Sequence, residues 1–189
     1  MDKLTVICFG GFMDDTITIV DYNPDWVILF EKERILLKTI FEDFIDIQHI
    51  GSTSIYGLEA KPIIDIMLGV SERTLVDKKQ INMLELNGYK YRGEAGIPNR
   101  QFFRKGMPRT HHLHVVKYKS DFWLEHLLFR NYLRAFPKVA EEYGRLKKRL
   151  VLKYSDDRGK YTKGKGPFIN EVLEKAEMWM KERGDVTVQ

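Results

Sequence analysis

The feature that most narrows the fold is a pair of apolar runs divided by a short polar turn. Phe44, Ile45, Ile47 and Ile50 lead into His49-Ile50-Gly51-Ser52-Thr53-Ser54, and a second run, Ala60-Lys61-Pro62-Ile63-Ile64-Asp65-Ile66, follows closely. The pattern predicts strand, turn, strand, at about 44–50 and 62–70. Gly51 lets the backbone approach an anion, Ser52 and Thr53 offer hydroxyl and N–H groups, and Asp65 can hold a divalent cation against the same phosphate. A serine-rich turn followed by an incidental aspartate would show the same spacing. Alternation places Ile45, Ile47 and His49 on one face of the first strand. On the second, Ile63, Asp65 and Met67 lie opposite Ile64, Ile66 and Leu68. A carboxylate within so apolar a strand is costly without a metal, a positive charge or several donors.

A second polar cluster lies in Arg109-Thr110-His111-His112-Leu113-His114-Val115-Val116. A strand over 112–118 puts His112 and His114 on one face and Leu113 and Val115 on the other. With Asp65 on a neighbouring strand, the two histidines could ligate one metal; alternatively they hydrogen-bond to the core or to Asp65 itself.

The 189 residues, 43% of them hydrophobic, suffice for one core and a single domain. No apolar run approaches the roughly 18 residues that span a bilayer, and the N-terminus lacks a signal-peptide layout, so no membrane association and a cytoplasmic location are expected. The lone Cys8 agrees with a reducing compartment and reads as a small buried hydrophobe. Net charge is +4, but Arg145 to Lys165 is basic, with Asp156 and Asp157 its only acids. Such a segment suits polyanions, or is simply a solvated face.

In chain order, 4–9 and 16–20 are β-rich, as a hairpin or two edge strands. Asn23 and Pro24 open a helix to about Glu42, with Trp26, Leu29, Phe30, Leu37, Ile40 and Phe41 inward. Ser71 caps a helix to about Asn87, which Gly88 ends, and β-rich segments follow at 89–92 and 101–104. Ser120 caps a helix to Phe136, and Pro137 opens another to about Tyr154. A last helix is expected from about Pro167 to Arg183. Before it, Gly159-Lys160-Tyr161-Thr162-Lys163-Gly164-Lys165-Gly166 nearly matches a P-loop, but Gly166 replaces the magnesium-binding hydroxyl and no strand leads in. The expectation is a Lys-rich loop that closes over phosphates at a helix N-terminus, or a basic surface loop.

Taken together, these segments resemble the GrpB family, itself similar to the nucleotidyltransferase superfamily. The resemblance rests on Tyr22-Asn-Pro-Asp-Trp26, the His49–Leu58 and Lys61–Ile66 stretches, Phe102-Phe-Arg-Lys-Gly106, Arg109–Val115, Phe129-Arg-Asn-Tyr-Leu-Arg134 and Tyr161–Phe168. It implies an α+β fold, a nucleotidyltransferase-like mixed β-sheet flanked by helices, with C-terminal helices. Residues 1–16 would be an N-terminal extension, 17–184 the domain and 185–189 a frayed tail.

The superfamily pattern is Gly-Gly/Ser, about a dozen residues, Asp-x-Asp/Glu, then a third acid on a later strand. Here twelve residues separate Ser52 from Asp65, Met67 stands in the second acid's place and His114 in the third's. The resemblance implies transfer of a nucleotidyl or phosphoryl group from a nucleoside triphosphate to an unknown acceptor. The alternative is a non-catalytic protein that binds a nucleotide or phosphometabolite. Asp65, Ser52 and Lys61 would be catalytic, and Gly51, Ser52, Thr53, Arg104, Lys163 and Lys165 would hold phosphate. Asp65, His112 and His114 would hold a divalent metal, magnesium or manganese ahead of zinc. Partners would be a nucleotide or phosphorylated small molecule, with the chain a monomer or homodimer. Nucleic acid is not expected, because the aromatics sit at core-facing spacing.

Overall fold

Five strands build one mixed sheet in a computed structural model that describes residues 16–71 and 76–184. The strands are β1 (Phe44–Ile50), β2 (Ile64–Val70), β3 (Tyr89–Tyr91), β4 (Gln101–Lys105) and β5 (His111–Lys117). Their order is β1-β2-β5-β4-β3, with β2 and β5 parallel and every other pair antiparallel. The helices are α1 (Asp25–Ile40), α2 (Lys78–Leu86), α3 (Asp121–Ala135), α4 (Pro137–Tyr154) and α5 (Arg158–Glu182).

The two faces of β2 explain the layers. Ile64, Ile66 and Leu68 join Leu113 and Val115 of β5 in a core closed by Trp26, Phe30, Leu37 and Ile40 of α1. On the other face, Met67 packs with Ile50, Val116, Trp123 and Leu127, beneath α3. A third cluster, including Leu128, Tyr132, Tyr143, Val172 and Ala176, binds α3, α4 and α5 together. The expected split of β5 holds: Leu113 and Val115 face α1, while His112 and His114 lie on the Asp65 face.

Several boundaries differ from the sequence reading, each for a local reason. The strand expected at 16–20 is reduced to one bridge, Val20 with Ala60, and segment 4–9 with Cys8 lies outside the described residues. The pairing of β1 slips between Phe44 and Asp46, so Ile45 turns outward at 48% exposure instead of sharing the Ile47 and His49 face. Leu29 of α1 is likewise 38% exposed, and the buried face carries Glu33, which accepts from Tyr89 Oη at 2.7 Å and pairs with Lys105. Helix α2 starts at Lys78 rather than after Ser71, because Asp77 and Gln80 form a reciprocal capping box. Asn23, Ser120 and Pro137 do open their helices as read.

The largest difference is α5. The glycine- and lysine-rich stretch 159–166 is helix, not loop, and Pro167 lies inside it. Gly164 is there for close packing: a Cβ on it would lie 2.6 Å from Leu150 Cδ2 on α4. What looked like hinge glycines is therefore part of a close α4–α5 contact.

Candidate functional site

The turn between β1 and β2 is held from two sides. Thr53 is buried, and its hydroxyl donates to Ile63 O at 3.3 Å and contacts His49 Nε2 at 3.0 Å, so it is committed to the turn rather than open to phosphate. From α3, Arg130 donates to His49 O at 3.0 Å and Arg134 to Ser54 O at 2.7 Å. Gly51 has φ +69°, and a Cβ there would lie 2.5 Å from Asp65 Oδ2. The turn is thus seated directly on the carboxylate, which only glycine permits.

Asp65, His112 and His114 converge, with one ligand atom of each within 4.8 Å of the others. His112 Nδ1 lies 2.9 Å and His114 Nε2 3.9 Å from Asp65 Oδ1. Burial pushes the Asp65 carboxyl up, but the hydrogen bond from His112 and the nearby His114 ring outweigh it and hold the group well below the usual carboxylate range. Burial lowers His114, which is neutral at pH 7.

The tautomers follow from the partners. Arg100, buried on the carbonyls of Glu94 and Ala95, points Nη1 at His114 Nδ1, 3.3 Å away. A guanidinium only donates, so Nδ1 carries the lone pair and Nε2 the proton, directed at Asp65. His112 gives its Nδ1 proton to the same carboxylate, and its buried Nε2 has no hydrogen-bond partner. A metal-bound histidine normally donates its second ring N–H to an acceptor. Here one second nitrogen faces an arginine and the other faces nothing polar. The set suits a carboxylate hydrogen-bonded by His112, with the His114 N–H directed at it from 3.9 Å; it does not fit a metal ligated by all three. Met67, on the same face, is fully buried and offers no metal ligand of the carboxylate kind.

Around this carboxylate lie cations. Lys61 Nζ and Lys165 Nζ each sit 5.0 Å from the centroid of the Tyr161 ring. Burial, then the charges of Lys165 and Arg158, lower Lys61 to about 8; burial lowers Lys165 despite the attraction of Asp65. Lys163 does not join them: about 200° round the helix from Lys165, it is exposed. Arg104, opposite His112 in register, lines a cleft of about 880 Å³ at this end of the sheet together with Lys61, Lys90, Arg92, Arg109 and Arg158. No carboxylate lines that cleft among the described residues.

The structure adds residues that sequence reasoning missed. Lys147 of α4 is 2% exposed, donates to Glu59 O and lies 4.9 Å from the centroid of Tyr143. Burial, then Lys165, lower it to about 7. The Tyr143 hydroxyl is pushed up by burial, an effect that the neighbouring Ser52 side chain partly offsets. The signal was present: Lys147 stands one turn after Tyr143, on a stripe that otherwise reads as apolar.

In fold, this mixed sheet with its flanking helices is similar to a solved nucleotidyltransferase. A Cid1 poly(U) polymerase structure superposes with TM-score 0.55 at 14% identity, over 77% of this chain and 49% of that one, which is a likeness of fold. The chain belongs to the GrpB family, whose model, described as GrpB protein, matches residues 16–175. The glutamate-rich protein GrpB of Alkalihalophilus pseudofirmus is 42% identical over 169 residues, 86% of this chain and 97% of the relative. The crystal structure of the conserved protein GrpB from Enterococcus faecalis matches with TM-score 0.79 at 42% identity, over 86% of this chain and 99% of that one. Among the described residues, no helix is long and apolar enough to cross a membrane.

Proposed function

We propose that this protein binds the phosphate chain of a nucleoside triphosphate, or of a related phosphometabolite, between the Gly51–Ser52 turn and Lys61 and Lys165. The observation that carries the reading is the seating of that turn on Asp65 beside half-buried lysines and a cleft lined by six basic side chains. Backbone N–H groups, the Ser52 hydroxyl and ammonium groups are the donors a phosphate chain requires.

Group transfer to an acceptor is the second reading, favoured by Asp65. It is an ionised carboxylate at the superfamily's first acid position, held by His112 and His114. Ser52 and Lys61 would then hold the phosphates while Asp65 orients the reacting groups. Ligation of a divalent metal by all three side chains would require Arg100 to leave His114 and His112 to turn an Nδ1 lone pair to the metal.

The test is a thermal-shift series with the four ribonucleoside triphosphates, each in chelator and with magnesium, manganese or zinc, on the wild type and Asp65→Ala. A ligand of the native state stabilises by about 2.7 kcal/mol at a hundred times its dissociation constant. A nucleotide shift supports binding, and no shift with any of the four contradicts it. Chromatographic product that disappears in Asp65→Ala supports transfer, whereas product retained in that variant removes Asp65 from the reaction.

A further inference from the structure

Lys61, Lys147 and Lys165 come from three separate elements, the segment before β2, α4 and α5, yet they form one electrostatic group. Lys165 and Lys61 each act on Lys147, and Lys165 acts on Lys61. Two tyrosines lie against them: the Tyr161 ring centroid is 5.0 Å from both Lys61 Nζ and Lys165 Nζ, and that of Tyr143, whose hydroxyl is near Ser52, is 4.9 Å from Lys147 Nζ.

Gathering like charges out of water is unfavourable unless a counter-charge joins them. The acids that act on the three are Glu59 and Asp65. Glu59 already pairs with Lys148 at 2.6 Å, which leaves the single charge of Asp65 to oppose the three lysines. The group therefore retains positive charge directly beside the phosphate turn. On the same face, the fully buried Met67 and the Arg100-capped His114 offer no further carboxylate to recruit a metal ion.

We propose that this lysine trio, with Ser52 and Tyr143, is a phosphoryl-anion site that works without a divalent metal, the side-chain ammonium groups replacing the cations that the missing carboxylates would have held. Its ligand is a free di- or triphosphate chain, supplied by a nucleotide or by another polyphosphate ester. The inference rests on the reading that phosphates occupy the Gly51–Ser52 turn, but not on the presence of a nucleoside.

Titration calorimetry with inorganic tripolyphosphate in chelator is the test. Binding should be present in chelator and should not strengthen when magnesium is added, because the metal competes for the same phosphate oxygens. Lys61→Gln and Lys165→Gln, both at half-buried positions, should each weaken binding by about tenfold or more. Lys147→Met should do so as well, with folding verified by circular dichroism. Binding seen only with magnesium, or unchanged affinity in both glutamine variants, would overturn the proposal. Tripolyphosphate binding with no response to any nucleoside triphosphate would leave this inference standing and remove the nucleotide. Nucleotide binding that requires magnesium would do the reverse.

Discussion

Replacing Gly51 by alanine tests the geometry at the centre of the site. The backbone there has φ +69° and ψ −173°, a region nearly exclusive to glycine, where a side chain costs about 1–3 kcal/mol. The new Cβ would also stand 2.5 Å from Asp65 Oδ2. The carboxylate must then move, and its 2.9 Å hydrogen bond from His112 weakens, at about 1.5–3 kcal/mol for a bond to a charged group. Together these give a loss of about 3–5 kcal/mol. At about 2–4 °C per kcal/mol for a chain of this size, the melting temperature should fall by about 6–20 °C. Gly57→Ala is the control: its φ is +74°, but a Cβ there meets nothing within 4 Å, so only the backbone cost of about 1–2 kcal/mol applies. Urea unfolding of both variants gives the comparison. Equal losses would refute the seating of the turn on Asp65, and so would undiminished tripolyphosphate binding by Gly51→Ala.

Three further outcomes follow from neighbouring groups. Burial lowers His49 from 6.5 to about 4, so the unfolded chain takes up a proton that the folded chain does not. Stability should fall as pH drops from 6.5 towards 4, by up to about 3 kcal/mol for this group. Urea midpoints above, within and below that window check it, His49→Gln should flatten the slope, and an identical slope in that variant contradicts the assignment. Met67→Asp buries an unpaired carboxylate among Ile50, Val116, Trp123 and Leu127. It should destabilise by about 3–5 kcal/mol in urea unfolding, and native-like stability would contradict the closed packing. Arg100→Met frees His114 Nδ1 to take the proton and turns a bare Nε2 towards Asp65, so zinc affinity by calorimetry should rise about tenfold or more. Tight zinc binding by the wild type that disappears in His114→Ala would contradict the hydrogen-bonded reading.

Much of the frame was legible because its signals are local. The runs about Gly51 and Asp65, the period-two pattern of 112–116, and the openings at Asn23, Ser120 and Pro137 each depend on residues a few positions apart. Where the reading failed, the deciding contact was distant in sequence or masked by a stronger cue. Gly159, Gly164, Gly166 and Pro167 look like breakers, but Gly164 serves the approach of Leu150 and the helix continues through the proline. Ser71 outshone Asp77, although Asp77-Lys78-Lys79-Gln80 already contained the capping box. At the site, Asp65 was found because a carboxylate interrupts an apolar strand. Lys147 interrupts an apolar helical stripe in the same way and could have been found by the same argument. Arg100 could not: only the fold brings its guanidinium to His114, and that contact changes how the histidines read.

A crystal structure of the protein with a non-hydrolysable nucleoside triphosphate bound would test the central claim most directly. The account predicts phosphate oxygens on the backbone N–H groups of the Gly51–Ser52 turn, with the ammonium groups of Lys61 and Lys165 in ion-pair contact and His112 still donating to Asp65. Phosphates bound elsewhere on the chain, with the turn and the lysines untouched, would contradict it.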